Sequence, residues 1–283
     1  MKDKICLVTG ANRGIGKAIA LGLAQRGATV IIVCRDRERG EAARQEIRSS
    51  SGNPAVHVML ADLASLASVR ELAVSFQKSY QHLHVLINNA GVAKVQRTLT
   101  VDGYETTFAV NHLAPFLLTN LLSEALQASA PARIVNVSSL VHKWGKMDFD
   151  DVQGETRYDM DKAYNQSKLA NVLFTNELAR RLAGTGVSVN SMEPGMTATD
   201  FGREYTGFKG FMNRAWRPFM VTPEQAAETA IYLATSPEVA DLSGQHFVKS
   251  RAVKSSKVSY DQDVAHRLWE VSARLTGLAG TPP

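Results

Sequence analysis

The sequence predicts an α/β fold: a doubly wound parallel sheet of about seven strands, flanked by helices, in a single domain. Short β-branched runs alternate with longer amphipathic stretches along nearly all of the 283 residues. The short runs are almost wholly apolar, which is typical of strands buried on both faces. Alternation of such strands with helices implies parallel strands joined by helical crossovers.

Seven segments carry the strand pattern, and six stretches between or after them carry a helix pattern. The strands are expected at 4–9 (KICLVT), 28–34 (ATVIIVC), 55–60 (AVHVML), 84–91 (HVLINNAG), 133–139 (RIVNVSS), 187–195 (VSVNSMEPG) and 245–250 (QHFVKS). The helices are expected at about 14–27, in a charged stretch ending near Ser49, and at 65–80, 103–127, 159–182 and 223–234. No repeat or low-complexity linker divides the chain, so residues 1–283 are expected to form one domain.

Composition excludes several classes of function. The 32 Lys and Arg residues are scattered among 27 Asp and Glu with no long run of like charge, so nucleic-acid binding is not expected despite the net charge of +5. Cys6 and Cys34 lie in or at the end of apolar runs, as reduced, buried thiols do. No apolar run approaches the ~20 residues that a bilayer span requires, so we expect a cytoplasmic protein with no membrane anchor.

A glycine-rich turn, TGANRGIG at 9–16, joins the first strand to the first helix. Its glycines, Gly10, Gly14 and Gly16, have the spacing GxxxGxG. Gly10 allows a tight turn, and the other two let backbone and helix N-terminus approach a pyrophosphate, whose charge the helix dipole favours. A plain structural turn is the alternative, but the position directly after the first strand favours dinucleotide binding.

The end of the second strand indicates which dinucleotide binds. An acidic residue there would hold the adenosine ribose 2′-hydroxyl, but the chain has Cys34 followed by Arg35, and Arg13 lies in the glycine loop. Guanidinium groups suit a 2′-phosphate, so NADP(H) is preferred and NAD(H) is the alternative. Asp36 keeps that alternative open, because a strand end displaced by one residue would turn its carboxylate inward.

Tyr164 and Lys168 are four residues apart in a predicted helix and therefore project from the same face. An ammonium beside a tyrosine favours the phenolate and brings the tyrosine nearer to the working range of an acid/base group. Tyr158 and Lys162 repeat the spacing six residues upstream. That pair lies in an acidic stretch typical of a helix cap or loop, so Tyr164 is the catalytic candidate.

Seven motifs in order resemble the short-chain dehydrogenases/reductases, a family with a Rossmann-type fold. They are TGANRGIG at 9–16, ADL at 61–63, NNAG at 88–91, VNHLAPFLLT at 110–119, NVSS at 136–139, YNQSK at 164–168 and PGMTAT at 194–199. Two further segments, 167–182 and 259–278, are similar to the retinol-dehydrogenase-like branch.

The resemblance implies a cofactor site and a catalytic set. The cofactor would contact Thr9, Gly10, Asn12, Arg13, Gly14, Ile15, Gly16, Arg35, Asp62, Leu63, Asn89, Ala90, Gly91, Tyr164, Lys168, Pro194, Gly195, Thr197 and Thr199. A simple turn role is the alternative for Asp62, and a loop role for the two threonines.

In the implied catalytic set, Tyr164 is the general acid/base and Lys168 also holds the nicotinamide ribose. Ser139 hydrogen-bonds the substrate oxygen, with Ser138 as the alternative. Asn111 holds a water that links Lys168 to solvent, and a kink or capping role in its helix is the alternative. No metal is expected, because His112, His142 and His246 show no ligand spacing and are taken as structural histidines.

Two segments are candidates for covering the site. Residues 140–163 form a predicted flap with Trp144 and Phe149, and residues 200–221 a predicted substrate lid. The lid is rich in aromatic residues, which favours an apolar substrate, although the same residues could simply pack it down. They are Phe201, Tyr205, Phe208, Phe211, Trp216 and Phe219.

The sequence therefore predicts an NADP(H)-dependent oxidoreductase, an alcohol dehydrogenase or carbonyl reductase acting on a small hydrophobic aldehyde, ketone or alcohol. A non-catalytic dinucleotide sensor or scaffold on the same fold is the alternative, and the presence of all four catalytic candidates argues against it. The long helices at 103–127 and 159–182 could pair across a two-fold axis in a homo-oligomer, as they do in similar proteins.

Overall fold

The structure, a computed structural model, describes residues 1–195 and 221–278. Within them, eight strands form one sheet in the order β3-β2-β1-β4-β5-β6-β7-β8. Neighbouring strands are parallel except β7 and β8, which are antiparallel. The strands are β1 Ile5–Thr9, β2 Thr29–Cys34, β3 Val56–Leu60, β4 Val85–Asn88, β5 Ala132–Val137, β6 Val187–Glu193, β7 His246–Val248 and β8 Arg251–Val253.

The predicted doubly wound parallel sheet is confirmed, with β8 as an addition. This short, exposed edge strand follows β7 through Lys249 and Ser250, which both have positive φ, at 49° and 60°. Such two-residue hairpin turns usually contain Asn or Gly, so a Lys-Ser turn carries no sequence signal for a hairpin. The short exposed strand also lacks the apolar pattern that marks the other seven.

Helices cover both faces of the sheet. Those on the described residues are α1 Gly14–Gln25, α2 Arg37–Ser51, α3 Leu66–Ser79, α4 Thr106–Phe108, α5 Ala114–Leu121, α6 Ser123–Gln127, α7 Met160–Arg181, α8 Pro223–Thr235 and α9 Gln262–Thr276. One face packs on α1, α2 and α8 through Cys6 and Val8, and the other packs on α3, α5, α7 and α9 through Leu7. Alternate residues of β1 thus enter opposite cores, as expected for a strand buried on both faces.

The predicted single helix at 103–127 is broken into pieces. Between α4 and α5 lies a π-helical turn, Ala109–Leu113, in which the N–H of Ala114 donates to the carbonyl of Ala109. Pro115 has no N–H to donate to the carbonyl of Asn111, four residues earlier, so a regular α-helix is interrupted at this point. The wider turn accommodates the proline and carries Asn111 inward.

Residues 140–163 are tied to α7 through the middle of the segment. A 3₁₀ turn at Leu140–Trp144 is followed by irregular chain, and the last residues of the segment already belong to α7. The side chain of Gln166 bonds both the N–H of Asp148 and the carbonyl of Val152. Of the two aromatics expected in a flap, Phe149 lies under the guanidinium of Arg267 on α9 at 4.4 Å, whereas Trp144 is 67% exposed.

Both cysteines are free and buried, as the sequence predicts. Burial raises the pKa of the Cys6 thiol to about 12, so this group is an inert core residue. Across residues 1–195 and 221–278, no helix is both long enough and apolar enough to span a bilayer.

Candidate active site

The sheet reverses its winding at β1, which has β2 on one side and β4 on the other. This reversal opens a crevice at the carboxyl ends of the two central strands, where open α/β sheets bind their ligands. The predicted site residues follow the strand ends at this edge. The glycine loop follows β1, Asn89 follows β4, Ser139 follows β5 and Pro194 follows β6.

Backbone geometry explains the three glycines of the loop. Gly10 and Gly14 have φ of +65° and +53°, the left-handed region that favours glycine. A Cβ on Gly16 would lie 2.4 Å from the carbonyl oxygen of Gly10, so nothing larger than glycine fits there. Arg13 is the N-cap residue of α1 but does not cap it with its side chain, and the first turn of α1 has no acidic residue. The start of α1 is therefore suited to an anion.

Thr9 and Asn89 brace the ends of β1 and β4 against each other. The Thr9 hydroxyl accepts from the N–H groups of Asn89 and Ala90 at 3.0 and 3.1 Å. The Asn89 amide donates to the carbonyl of Thr9 at 2.8 Å. Both residues were predicted as cofactor contacts, and the structure gives their side chains a bracing role that shapes the floor of the crevice.

At the end of the crevice predicted to hold the adenosine ribose, the second strand ends where the sequence predicts. β2 ends at Cys34, and Arg35 is exposed directly after it. The carboxylate of Asp36 is engaged elsewhere, because it caps α2 by accepting from the N–H of Arg39 at 2.9 Å. After β3, the exposed Asp62 accepts from the N–H of Ala64 at 3.0 Å, which is the turn role given as the alternative to a cofactor contact. Leu63 next to it is half-buried.

Lys168 is the most buried cation near the crevice that the structure describes. Its side chain is on α7, the residue is 3% exposed, and its Nζ donates to the carbonyl of Val137 at 3.1 Å. Burial lowers the pKa of Lys168 to about 8. The Nζ lies 5.6 Å from the centre of the Tyr164 ring, one turn earlier on the same helix.

Asn111 lies beside Lys168, and both the oxygen and the nitrogen of the Asn111 side-chain amide are hydrogen-bonded. Its Oδ1 accepts from the N–H of Val92 at 2.7 Å, and its Nδ2 donates to the carbonyl of Val92 and to the hydroxyl of Ser167, both at 2.9 Å. A Cβ on Gly91 would lie 3.4 Å from both Asn111 Oδ1 and Lys168 Nζ, so both groups face the same point. The side chain thus clamps the chain after β4 onto α7.

The hydroxyls of the two serines after β5 differ in their hydrogen bonding. The Ser138 hydroxyl is buried and donates to the carbonyl of Lys168 at 2.8 Å. Ser139 is half-buried, and its hydroxyl makes no hydrogen bond to any described residue. Its carbonyl accepts from both the N–H and the Nδ1 of His142, at 3.0 and 2.7 Å. The main chain of Ser139 is therefore fixed while its hydroxyl is left to contact a ligand.

The competing pair, Tyr158 and Lys162, is separated from these groups. Tyr158 precedes α7, and its hydroxyl donates to the carbonyl of Lys94 at 2.7 Å. Burial raises its pKa to about 12, which disfavours proton exchange. Lys162 is exposed on the first turn of α7. Tyr158 therefore anchors the chain before α7, as a loop residue would, whereas Lys162 is solvated.

At the end of the crevice predicted to hold the nicotinamide, Pro194 and Gly195 follow β6, and Gly195 has a φ of +78°. Thr197, Thr199 and the predicted lid up to residue 220 lie outside the described residues.

One cluster of side chains joins residues that no pattern in the sequence relates to one another. His142, Glu193 and His246 come together in the fold, and their ligand atoms all lie within 4.8 Å of one another. Burial lowers the pKa of His142. His112, in contrast, is a structural residue, with Nε2 bonded to the Ser272 hydroxyl at 2.8 Å and a pKa lowered by burial to about 3.

Comparison with known proteins agrees with this arrangement. The family model described as short chain dehydrogenase matches residues 4–209. The chain belongs to the short chain dehydrogenase family. Its members are oxidoreductases, and the crevice and braced glycine loop described above are where this chain would hold a nicotinamide dinucleotide.

Relatives place this short chain dehydrogenase in the retinol-dehydrogenase-like branch. Human retinol dehydrogenase 13 is 48% identical over 282 residues, which cover 97% of this chain and 85% of the relative. Human retinol dehydrogenase 11 is 46% identical over 278 residues, covering 98% and 87%. Among solved structures, the Pseudomonas aeruginosa RhlG/NADP active-site complex superposes with a TM-score of 0.71 at 29% identity, covering 87% of this chain and 94% of that one.

Proposed function

We propose that this short chain dehydrogenase is an NADP(H)-dependent oxidoreductase that interconverts a hydrophobic aldehyde or ketone and the corresponding alcohol. The observation that carries the proposal is the buried ammonium of Lys168, one helical turn from Tyr164 and beside Gly91 at the strand edge. A buried, positively charged lysine is costly to keep, so its place next to a tyrosine favours a role in proton transfer.

Reduction of a carbonyl adds a hydride to carbon and a proton to oxygen. A nicotinamide dinucleotide held in the crevice would supply the hydride. The Tyr164 hydroxyl gives its proton to the forming alkoxide, and the Lys168 ammonium stabilises the phenolate that remains. The Ser139 hydroxyl donates a hydrogen bond to the same oxygen as its charge develops. Oxidation of the alcohol reverses each of these steps.

The residues at the ribose end support NADP(H). Arg35 is exposed at the end of β2, and the nearby carboxylate of Asp36 is engaged as the cap of α2. A ribose 2′-phosphate would therefore meet a guanidinium and no free carboxylate from these two residues. The Pseudomonas aeruginosa neighbour is an NADP complex, which supports the same cofactor.

An apolar substrate is supported by the turn after Ser139. Leu140 and Trp144 are 39% and 67% exposed, an unusual display of apolar surface beside a polar site. The retinol dehydrogenases related to this chain are named for an apolar alcohol, which favours the same substrate class.

Turnover of NADPH with a panel of apolar aldehydes, all-trans-retinal among them, tests the proposal. Replacing Tyr164→Phe removes the proton donor and should lower kcat by roughly 10²- to 10⁴-fold. Tyr158→Phe, in the competing pair, is the matched control and should keep most of the wild-type kcat. If the wild type turned over NADPH no faster than Tyr164→Phe, the proposal would fail and the alternative, a non-catalytic dinucleotide sensor or scaffold, would replace it.

A further inference from the structure

Three buried side chains from three separate elements meet beside Ser139. His142 lies in the 3₁₀ turn after β5, Glu193 ends β6, and His246 begins β7. They are 0%, 8% and 3% exposed, and their ligand atoms lie within 4.8 Å of one another. A carboxylate and two imidazoles this deeply buried need a physical reason, because burial disfavours the charge on each.

The cluster leaves two buried polar atoms unsatisfied. Neither Glu193 Oε2 nor His246 Nε2 has a hydrogen-bond partner in the part of the chain that the structure describes. They lie 3.6 Å apart, too far for a hydrogen bond between them. An unsatisfied buried polar atom is destabilising, so a ligand that bonded both atoms would bind favourably.

In both histidine rings, Nδ1 already has a hydrogen-bond partner, so Nε2 is the nitrogen left to bind a ligand. His142 Nδ1 lies 2.7 Å from the carbonyl of Ser139. A carbonyl can only accept, so Nδ1 carries the hydrogen and Nε2 presents a lone pair. His246 Nδ1 lies 2.9 Å from the hydroxyl of Ser191. Metal-binding histidines in proteins are held in this way, by a hydrogen bond from the ring nitrogen that does not bind the metal.

We propose that His142 Nε2, His246 Nε2 and the Glu193 carboxylate form a binding site for a divalent transition metal, with Zn²⁺ as the best match. Two imidazoles and one carboxylate suit zinc and disfavour Mg²⁺ and Ca²⁺, which prefer oxygen ligands. With Zn–ligand bonds of about 2.0–2.2 Å, tetrahedral ligand atoms lie roughly 3.4 Å apart. The 3.6 Å between Glu193 and His246 is already close to this separation.

His142 completes the site by moving closer to the other two ligands, from a separation of at most 4.8 Å. Its Nε2 accepts only a long contact of 3.3 Å from the N–H of Ser256 among the described residues, and this contact would break on metal binding. The ring also holds the carbonyl of Ser139 through Nδ1. A bound metal would therefore stiffen the turn that carries Ser139. The metal site takes no part in the proposed hydride transfer, so turnover is not needed to test it.

Calorimetric titration of the purified full-length chain with Zn²⁺, in the presence of a competing chelator, tests the site. We expect one ion per chain with a sub-micromolar Kd, weakened at least ~100-fold by Glu193→Gln and by His246→Asn. His266→Asn is the matched control. His266 is exposed beside Glu270, so its loss removes a surface chelator and should leave the affinity unchanged.

X-ray absorption on the wild-type chain loaded with one Zn²⁺ provides a second measurement, independent of how the variants fold. Scattering from two imidazoles with ligand distances of about 2.0 Å is expected. Absence of one-site binding, absence of imidazole scattering, or affinity lost in His266→Asn but kept in both cluster variants would each overturn the proposal.

Discussion

The hydroxyl of Ser138 donates a hydrogen bond to the main-chain carbonyl of Lys168 at 2.8 Å and so joins the end of β5 to α7. Its neighbour Ser139 keeps its side chain out of this contact. Two adjacent serines of identical chemistry therefore differ in role: Ser138 holds strand and helix together, and we propose that Ser139 contacts the substrate oxygen.

Ser139→Ala and Ser138→Ala should separate activity from stability. Ser139→Ala removes the donor to the developing oxyanion and should lower kcat by roughly 10²-fold or more, with little change in Tm. Ser138→Ala removes a buried hydrogen bond and should lower the free energy of unfolding by about 1 kcal/mol, with a smaller effect on kcat. Steady-state kinetics and urea denaturation of both variants check this. The reverse pattern would exchange the two roles.

Lys168→Met should stabilise the protein without cofactor while abolishing turnover. Burial lowers the folded-state pKa of Lys168 from 10.5 to about 8. At about 1.4 kcal/mol per unit, holding the buried charge costs on the order of 3 kcal/mol at pH 7, and methionine avoids that cost. Urea denaturation at pH 7 should show the variant to be more stable than the wild type.

The stability gained by Lys168→Met should depend on pH, because the gain comes from the lowered pKa of Lys168. Below pH 8, Lys168 is protonated in both the folded and the unfolded chain, so the full cost applies. Between about pH 8 and the unfolded pKa of 10.5, the folded chain releases its proton first, so the cost falls as pH rises. The difference in free energy of unfolding between Lys168→Met and the wild type should therefore be smaller at pH 10 than at pH 7. Lys162→Met, at an exposed position, should show neither effect, and equal gains in both variants would contradict the argument.

The sheet was predictable from sequence because its strands are local and apolar. Each of the seven predicted runs corresponds to a strand, and the ends of α1, α2, α3, α7 and α8 lie within about two residues of expectation. The glycine loop was predictable for a similar reason, since the positive φ of Gly10 and Gly14 restricts which residues can occupy those positions.

Features that depend on long-range register were not predictable. The pairing of β6 with β7 sets Ser191 opposite His246, and Glu193 lies two residues on, on the same face of its strand. No local pattern relates these residues to His142, more than 50 positions from Glu193 in the chain. The clamp of Asn111 on the backbone of Val92 escaped prediction for the same reason. Proline at 115 did carry a signal for the π-helical turn.

Arg35→Ala should weaken NADPH binding selectively. A charge-assisted hydrogen bond to the 2′-phosphate contributes about 1.5–3 kcal/mol, so the Kd for NADPH should rise roughly 10- to 100-fold while that for NADH stays the same. Asp36→Ala is the control for the alternative in which NAD(H) binds and the Asp36 carboxylate faces the ribose. As the cap of α2, its loss should cost about 1 kcal/mol of stability and leave the ratio of the two affinities unchanged. Fluorescence titration with each cofactor would decide, and a tighter NADH complex in Asp36→Ala would point to a carboxylate facing the ribose.

Gly16→Ala should impair cofactor binding through the shape of the loop. The added Cβ would lie 2.4 Å from the Gly10 carbonyl oxygen and 2.5 Å from Asn89 Nδ2, so the loop or the braced end of β4 must shift. NADPH affinity measured by calorimetry should fall by at least ~10-fold, the equivalent of about 1.4 kcal/mol. Gly52→Ala is the matched control, because Gly52 has a φ of +67° but no atom within 4 Å of its added Cβ. That variant should lose about 1 kcal/mol of stability from backbone strain alone and bind NADPH normally. Equal losses of affinity in both variants would show that general destabilisation, and not the crowding at Gly10 and Asn89, governs the effect.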